Sequence, residues 1–120
     1  MLNLDTHILV AALAGELTAR EQLLVTNEKL AVSDIVLWEL AKLIQLKRLV
    51  LDMDSAAFRR ALRQLTIFPI TTKIARKSTE LDFESDPADE IIAATSVVEL
   101  IPLMTRDRKI LKSGLVPLAK

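Results

Sequence analysis

The chain has 120 residues, with 16 lysines and arginines balanced by 16 aspartates and glutamates, no cysteine and a hydrophobic fraction of 51%. That length suits a single domain spanning residues 1–120, able to build a core without disulfides. Zero net charge argues against a protein that coats nucleic acid by bulk positive charge, and the lack of cysteine removes disulfide frameworks and thiolate metal sites. No apolar run approaches the roughly 18 residues of a membrane span.

Met1–Leu4 reads as a short buried strand that delivers Asp5 at its carboxyl end. This opening has neither a basic segment nor a cleavage-site pattern, so the cytoplasm is the expected compartment. Thr6–Ala14 is a helical run stopped by Gly15, and Leu17–Thr26 a second, more polar helix. Leu30-Ala31-Val32 is the second strand, and Ser33 the expected N-cap of a long helix from Asp34 to about Lys47. Asp54 is the expected cap of a helix over Ser55–Leu65. Thr66–Ile70 is the third strand, with Pro69 at its end. Thr71 or Thr72 then caps a helix running to about Leu81, followed by a loop over residues 82–85.

Asp86 suits an N-cap, Pro87 the first helical position, and a long apolar helix follows. Ile101–Met104 is the next buried strand, with Thr105-Arg106-Asp107 hanging off its carboxyl end. A helical turn over Arg108–Lys112, a break at Gly114 and a last short strand at Leu115–Val116 complete the chain. Strands alternating with helices imply βαβ units, a mostly parallel sheet and a three-layer α/β/α sandwich. Such sheets place ligands beyond the carboxyl ends of their strands.

Glu39 is the anomaly in this pattern. Its helical neighbours are Ile35, Val36, Leu43 and Leu46, a face expected to pack on the sheet. A carboxylate among aliphatics is costly unless paired or bound to a cation. Asp89 shares a face with Ile92, Ala93, Ser96 and Leu100 and poses the problem more mildly, since an acid in a first helical turn also complements the helix dipole. Asp5, Glu39, Asp89 and Asp107 come from four separate segments that this fold brings to one end of the sheet. Like charges packed together repel, and hard cations such as Mg2+ or Mn2+ relieve that conflict through oxygen ligands. Bound there, a divalent ion can activate water and clamp a phosphodiester.

Leu4-Asp5-Thr6-His7, Ser33–Glu39 with Leu40-Ala41, Asp89-Glu90-Ile91-Ile92-Ala93-Ala94-Thr95 and Leu103-Met104-Thr105-Arg106-Asp107 together resemble the four motifs of PIN-domain ribonucleases, especially the VapC toxins of type II toxin–antitoxin systems. The resemblance covers nearly the whole chain. It implies Mg2+- or Mn2+-dependent RNA cleavage, with Asp5, Glu39 and Asp89 as the core acids and Asp107 as the auxiliary fourth. Thr105 matches a hydroxyl that orients a metal-bound acid or water, Asp86 matches an acid just before the third motif, and Thr6 follows the first acid. The resemblance also implies homodimers and a small antitoxin partner. Glu90 departs from the pattern, standing where many relatives carry a basic or small residue.

His7 is the single histidine, so no histidine-based metal site or Ser-His-Asp triad is supported; beside Asp5 it suits a packing or supporting role. Only Gly15 and Gly114 exist, which removes a glycine-rich phosphate loop. Arg106, Arg108 and Lys109 flank Asp107 and are the expected contacts for RNA phosphates. The alternative expectation is an interaction module that keeps the fold without turnover. A phospho-acceptor receiver-like domain ranks lower, because no lysine follows a late strand in the order that chemistry needs.

Overall fold

In the computed structural model, which describes residues 1–120, four parallel strands lie in the order β3-β2-β1-β4. They are β1 (Leu2–Leu4), β2 (Leu30–Ser33), β3 (Leu65–Phe68) and β4 (Leu103–Met104). Between them run α1 (Thr6–Ala14) and α2 (Ala19–Val25), then α3 (Ile35–Gln45) and α4 (Ala56–Arg63), then α5 (Thr72–Lys77) and α6 (Pro87–Glu99). The short α7 (Arg108–Leu111) follows β4. The chain steps from β1 outward to β2 and β3 and then returns across the sheet to β4 on the other side of β1. The reversal makes a crevice between the carboxyl ends of β1 and β4, the usual ligand position in such sheets. The register pairs Asn3 with Leu103 and Leu4 with Met104, so Asp5 and Thr105 leave the sheet side by side.

β1, β2 and β4 are short, mostly buried runs, as expected where helices cover both faces, whereas β3 at the sheet edge exposes Thr66 and Ile67. Leu4, Val32 and Leu103 join Ile8 and Leu9 of α1, Val36 and Leu40 of α3, Ile92 and Ala93 of α6 and Ile110 of α7 in one core. Gly15 ends α1 in the left-handed conformation, φ 71°, with its N–H returned to the carbonyls of Ala11 and Ala12. A side chain there would oppose that turn.

Local chemistry corrects several expected boundaries. Ser55, not Asp54, caps α4, its hydroxyl accepting from the N–H of Phe58 at 3.1 Å. Asp34 holds the N-cap position of α3 without capping it; its carboxylate accepts instead from the N–H of Ile70 at 3.3 Å, tying α3 to the segment after β3. Ser33 Oγ takes a weak 3.3 Å contact from the N–H of Ile35. Helix α5 stops at Lys77, short of Leu81, and β3 ends at Phe68, just before Pro69. The last extended contact is a bridge between Leu103 and Leu118, later than Leu115–Val116; it covers the outer edge of β4. The stripe of α3 that enters the core is Val36 and Leu40. Leu46 is exposed, and Glu39 sits half-buried on the shoulder of that stripe rather than among sheet-facing aliphatics.

Candidate metal centre

Asp5 follows β1 directly and is 1% exposed. Its Oδ1 accepts from the N–H of Thr6 at 2.9 Å, and its Oδ2 accepts from Thr105 Oγ1 at 2.6 Å. The Thr105 hydroxyl is itself aimed by the N–H of Asp107, which donates to it at 3.0 Å. Glu39 reaches the same place from the first turns of α3 and accepts the hydroxyl of Thr6. Asp89 arrives from the first turn of α6, and its Oδ2 accepts from Ser85 Oγ at 3.1 Å. Thus each carboxylate is oriented by a hydroxyl from a neighbouring segment.

One ligand oxygen from each of Asp5, Glu39 and Asp89 lies within 4.8 Å of the others. No lysine or arginine forms an ion pair with any of the three; the nearest base is His7, whose Nδ1 is 3.6 Å from Asp5 Oδ2. The other ring nitrogen, Nε2, accepts the N–H of Arg106 at 2.9 Å, which leaves the proton on Nδ1 facing Asp5. Burial pushes the Glu39 carboxyl above its usual range, against the Thr6 hydrogen bond and with help from the charges of Asp89, Asp5 and Asp86. Burial also raises Asp89, joined by the charge of Asp5; Ser85 opposes, and Asp107 and Asp86 add further repulsion. Crowded, buried and half-buried oxygens without a lysine or arginine partner are the donor set that a hard divalent cation satisfies.

The remaining residues singled out from the sequence fall around this trio. Asp107 is outside it: its Oδ1 caps α7, accepting from the N–H groups of Lys109 at 2.8 Å and Ile110 at 3.3 Å. It is near enough to act on Asp89 through space. Asp86 sits exposed at the N-cap position of α6 with no side-chain cap bond. Arg106 makes a bidentate ion pair with Glu21 of α2, at 2.8 and 2.7 Å. Lys109 Nζ donates to the carbonyl of Glu84 at 3.3 Å, and Arg108 is exposed. Glu90, the departure from the family pattern, accepts the N–H of Ser85 at 3.2 Å and so braces the loop that holds Asp89.

Two contributors escaped sequence reasoning. Ser85 lay in a loop with no periodicity to mark it. Asn3 lay inside an apolar strand: fully buried, its Nδ2 donates to the Ile92 carbonyl at 3.1 Å and to Ser96 Oγ at 2.9 Å, fastening β1 to α6. A polar residue amid a short aliphatic run was the available signal.

The PIN-domain family model matches residues 3–114. This chain belongs to the PIN-domain family. Solved structures with the same fold include a toxin–antitoxin complex from Klebsiella pneumoniae, 23% identical over 93% of this chain and 91% of that one, with a TM-score of 0.68. VapBC2 from Rickettsia felis, bound to a DNA fragment from its promoter, is 22% identical over 98% and 97%, with a TM-score of 0.66. FitAcB from Neisseria gonorrhoeae is 18% identical over 100% and 97%, with a TM-score of 0.70. No curated protein matches the chain. At these identities the PIN structures establish a shared architecture. Like them, this chain folds as a parallel sheet flanked by helices, and no helix is long and apolar enough to cross a membrane.

Proposed function

We propose that this PIN-domain protein is a metal-dependent endoribonuclease and the toxin component of a type II toxin–antitoxin module, working in the cytoplasm. The observation that carries the reading is the convergence of Asp5, Glu39 and Asp89 within 4.8 Å, without a lysine or arginine partner. Family membership and the likeness to a toxin–antitoxin complex from Klebsiella pneumoniae and to VapBC2 from Rickettsia felis support it.

In this reading Asp5, Glu39 and Asp89 hold Mg2+ or Mn2+. A divalent ion there supplies positive charge to the scissile phosphate and acidity to a bound water. The chain's own part is orientation. Thr105 and Thr6 fix the two oxygens of Asp5, Thr6 also fixes Glu39, and Ser85 fixes Asp89, so the lone pairs left over are presented in a set arrangement. Asp107 adds negative charge beside Asp89 and tunes the site without joining the trio. Arg108 and Lys109 stand on the rim as contacts for RNA phosphates, and Arg106 joins them when released from Glu21. The partners in this reading are RNA, a cognate antitoxin and a second copy of the chain. Exposed Leu13, Leu23 and Val50 provide apolar surface for a protein partner.

The test is cleavage of a total RNA pool by purified protein with Mg2+ or Mn2+. Wild type should cleave, EDTA should stop it, and Asp5→Asn and Glu39→Gln should each remove activity. Cleavage unchanged in both variants would end the metal-ligand assignment. No cleavage by wild type would leave an interaction module.

A further inference from the structure

Helix α3 carries a second chemical feature one residue from Glu39. Trp38, the single tryptophan of the chain, is 55% exposed. It lines a cavity of about 370 Å3 between α3 and the start of α6, together with Glu39, Lys42, Leu46, Arg48 and Pro87. That volume lies at the lower end of the roughly 300–1,000 Å3 of small-ligand pockets. The cavity shares Glu39 with the carboxylate trio, so whatever fills it adjoins the candidate metal centre.

We propose that this cavity is a subsite for one unpaired nucleobase of an RNA strand, beside the scissile phosphate, with Trp38 as the stacking platform and Lys42 and Arg48 as the phosphate contacts. The inference rests on the ribonuclease reading and adds the residues that grip the substrate. An exposed indole forgoes a large burial gain in the free protein, which a planar apolar partner recovers. Lys42 lies four residues after Trp38, one turn along the same helix face, and both line the cavity. Neither Lys42 nor Arg48 is spent on a carboxylate: Lys42 Nζ donates to Gln45 Oε1 at 2.8 Å, and Arg48 forms no ion pair. The indole also borders a second hollow with Ala41, Lys42 and Gln45, so the ring stands between two open spaces. Four aromatic residues cannot pave a long single-strand track, but one ring suffices for one base. The acids in the lining, Glu39 and Asp86, disfavour phosphate beside them, which leaves Lys42 and Arg48 as its contacts.

The single tryptophan makes its own fluorescence a site-specific reporter. Titrating the full chain in EDTA with short mixed-sequence single-stranded oligoribonucleotides should quench it. With Mg2+, Trp38→Ala should raise KM about 5- to 100-fold with little change in kcat, the loss expected for one stacked base. Trp38→Phe should restore most of the affinity. Lys42→Gln and Arg48→Gln should each lower the slope of binding against salt by about one. If wild type cleaves RNA and Trp38→Ala cleaves with the same KM, the subsite is wrong and the nuclease reading stands. If wild type neither binds nor cleaves, both fall. If Trp38→Ala changes sedimentation but not KM, the cavity is an interface between copies, and the subsite is again overturned.

Discussion

Thr105 Oγ1 donates a 2.6 Å hydrogen bond to Asp5 Oδ2 across 100 residues of sequence. The parallel pairing of β1 with β4 makes this possible, because it sets the two residues next to each other where the strands end. Thr105→Val keeps the shape and removes the donor. Affinity for Mn2+, measured by calorimetric titration, is expected to fall about 10- to 100-fold, and Thr105→Ser should recover most of it. Equal affinity in the valine variant would show that Asp5 is held without help.

The metal-free site should register pH. Glu39 and Asp89 have folded-state values above the ordinary carboxylate range, first through burial. The native protein therefore keeps protons that the unfolded chain releases. Stability falls as pH rises from roughly pH 4 through the raised values, and it stays reduced above them. In EDTA, Glu39→Gln should unfold at a higher temperature than wild type above this window and at a similar temperature below it. Cation affinity should run the opposite way, rising with pH over the same window. Parallel melting profiles at every pH would contradict the crowding of charge described here.

Glu21 and Arg106 form the one arginine–carboxylate pair of the chain, and the guanidinium holds the Glu21 carboxyl down to about 2. Its contribution is complete above the ordinary carboxylate range and disappears as pH falls toward that value. No residue of α2 is buried, so this pair is a principal tie between α2 and the loop after β4. Glu21→Gln should cost about 0.5–1 kcal/mol and speed amide exchange in α2. It should also steepen the salt dependence of RNA binding by about one, as Arg106 becomes available to phosphate. An unchanged salt slope would mean that Arg106 takes no part in binding RNA.

Asn3 should be intolerant of charge. Asn3→Asp places a carboxylate against the Ile92 carbonyl in a fully buried position, and a loss of about 3 kcal/mol or more is expected in urea unfolding at neutral pH. Asn3→Ala should lose about 1–3 kcal/mol with the two hydrogen bonds. A mild effect from the aspartate would show that water reaches this part of the β1–α6 contact.

The parallel sheet was legible in the sequence because helical and extended patterns alternate with clear punctuation. The meeting of Asp5, Glu39 and Asp89 was legible for another reason: a strand end, an acid on an apolar helix and an acid in a first turn all map to one edge of such a sheet. What stayed hidden depends on side-chain direction. The engagement of Arg106 by Glu21, 85 residues away, leaves no local trace. For Asp107 the sequence offered two roles, a fourth acid of the site and a cap for the last helical turn, and the structure shows the cap. The core stripe of α3 was misread because Leu43 and Leu46 continue the apolar pattern past the point where the sheet stops supporting them.

The position of β1 has a last consequence. Its two neighbours come from opposite ends of the fold's construction: β2 soon after it, β4 some hundred residues later. While the polypeptide is being made, Asp5 therefore waits for Thr105 until nearly all of the domain has emerged. In the ribonuclease reading proposed above, a catalyst completed so late gives its unfinished copies little means of cutting their own message.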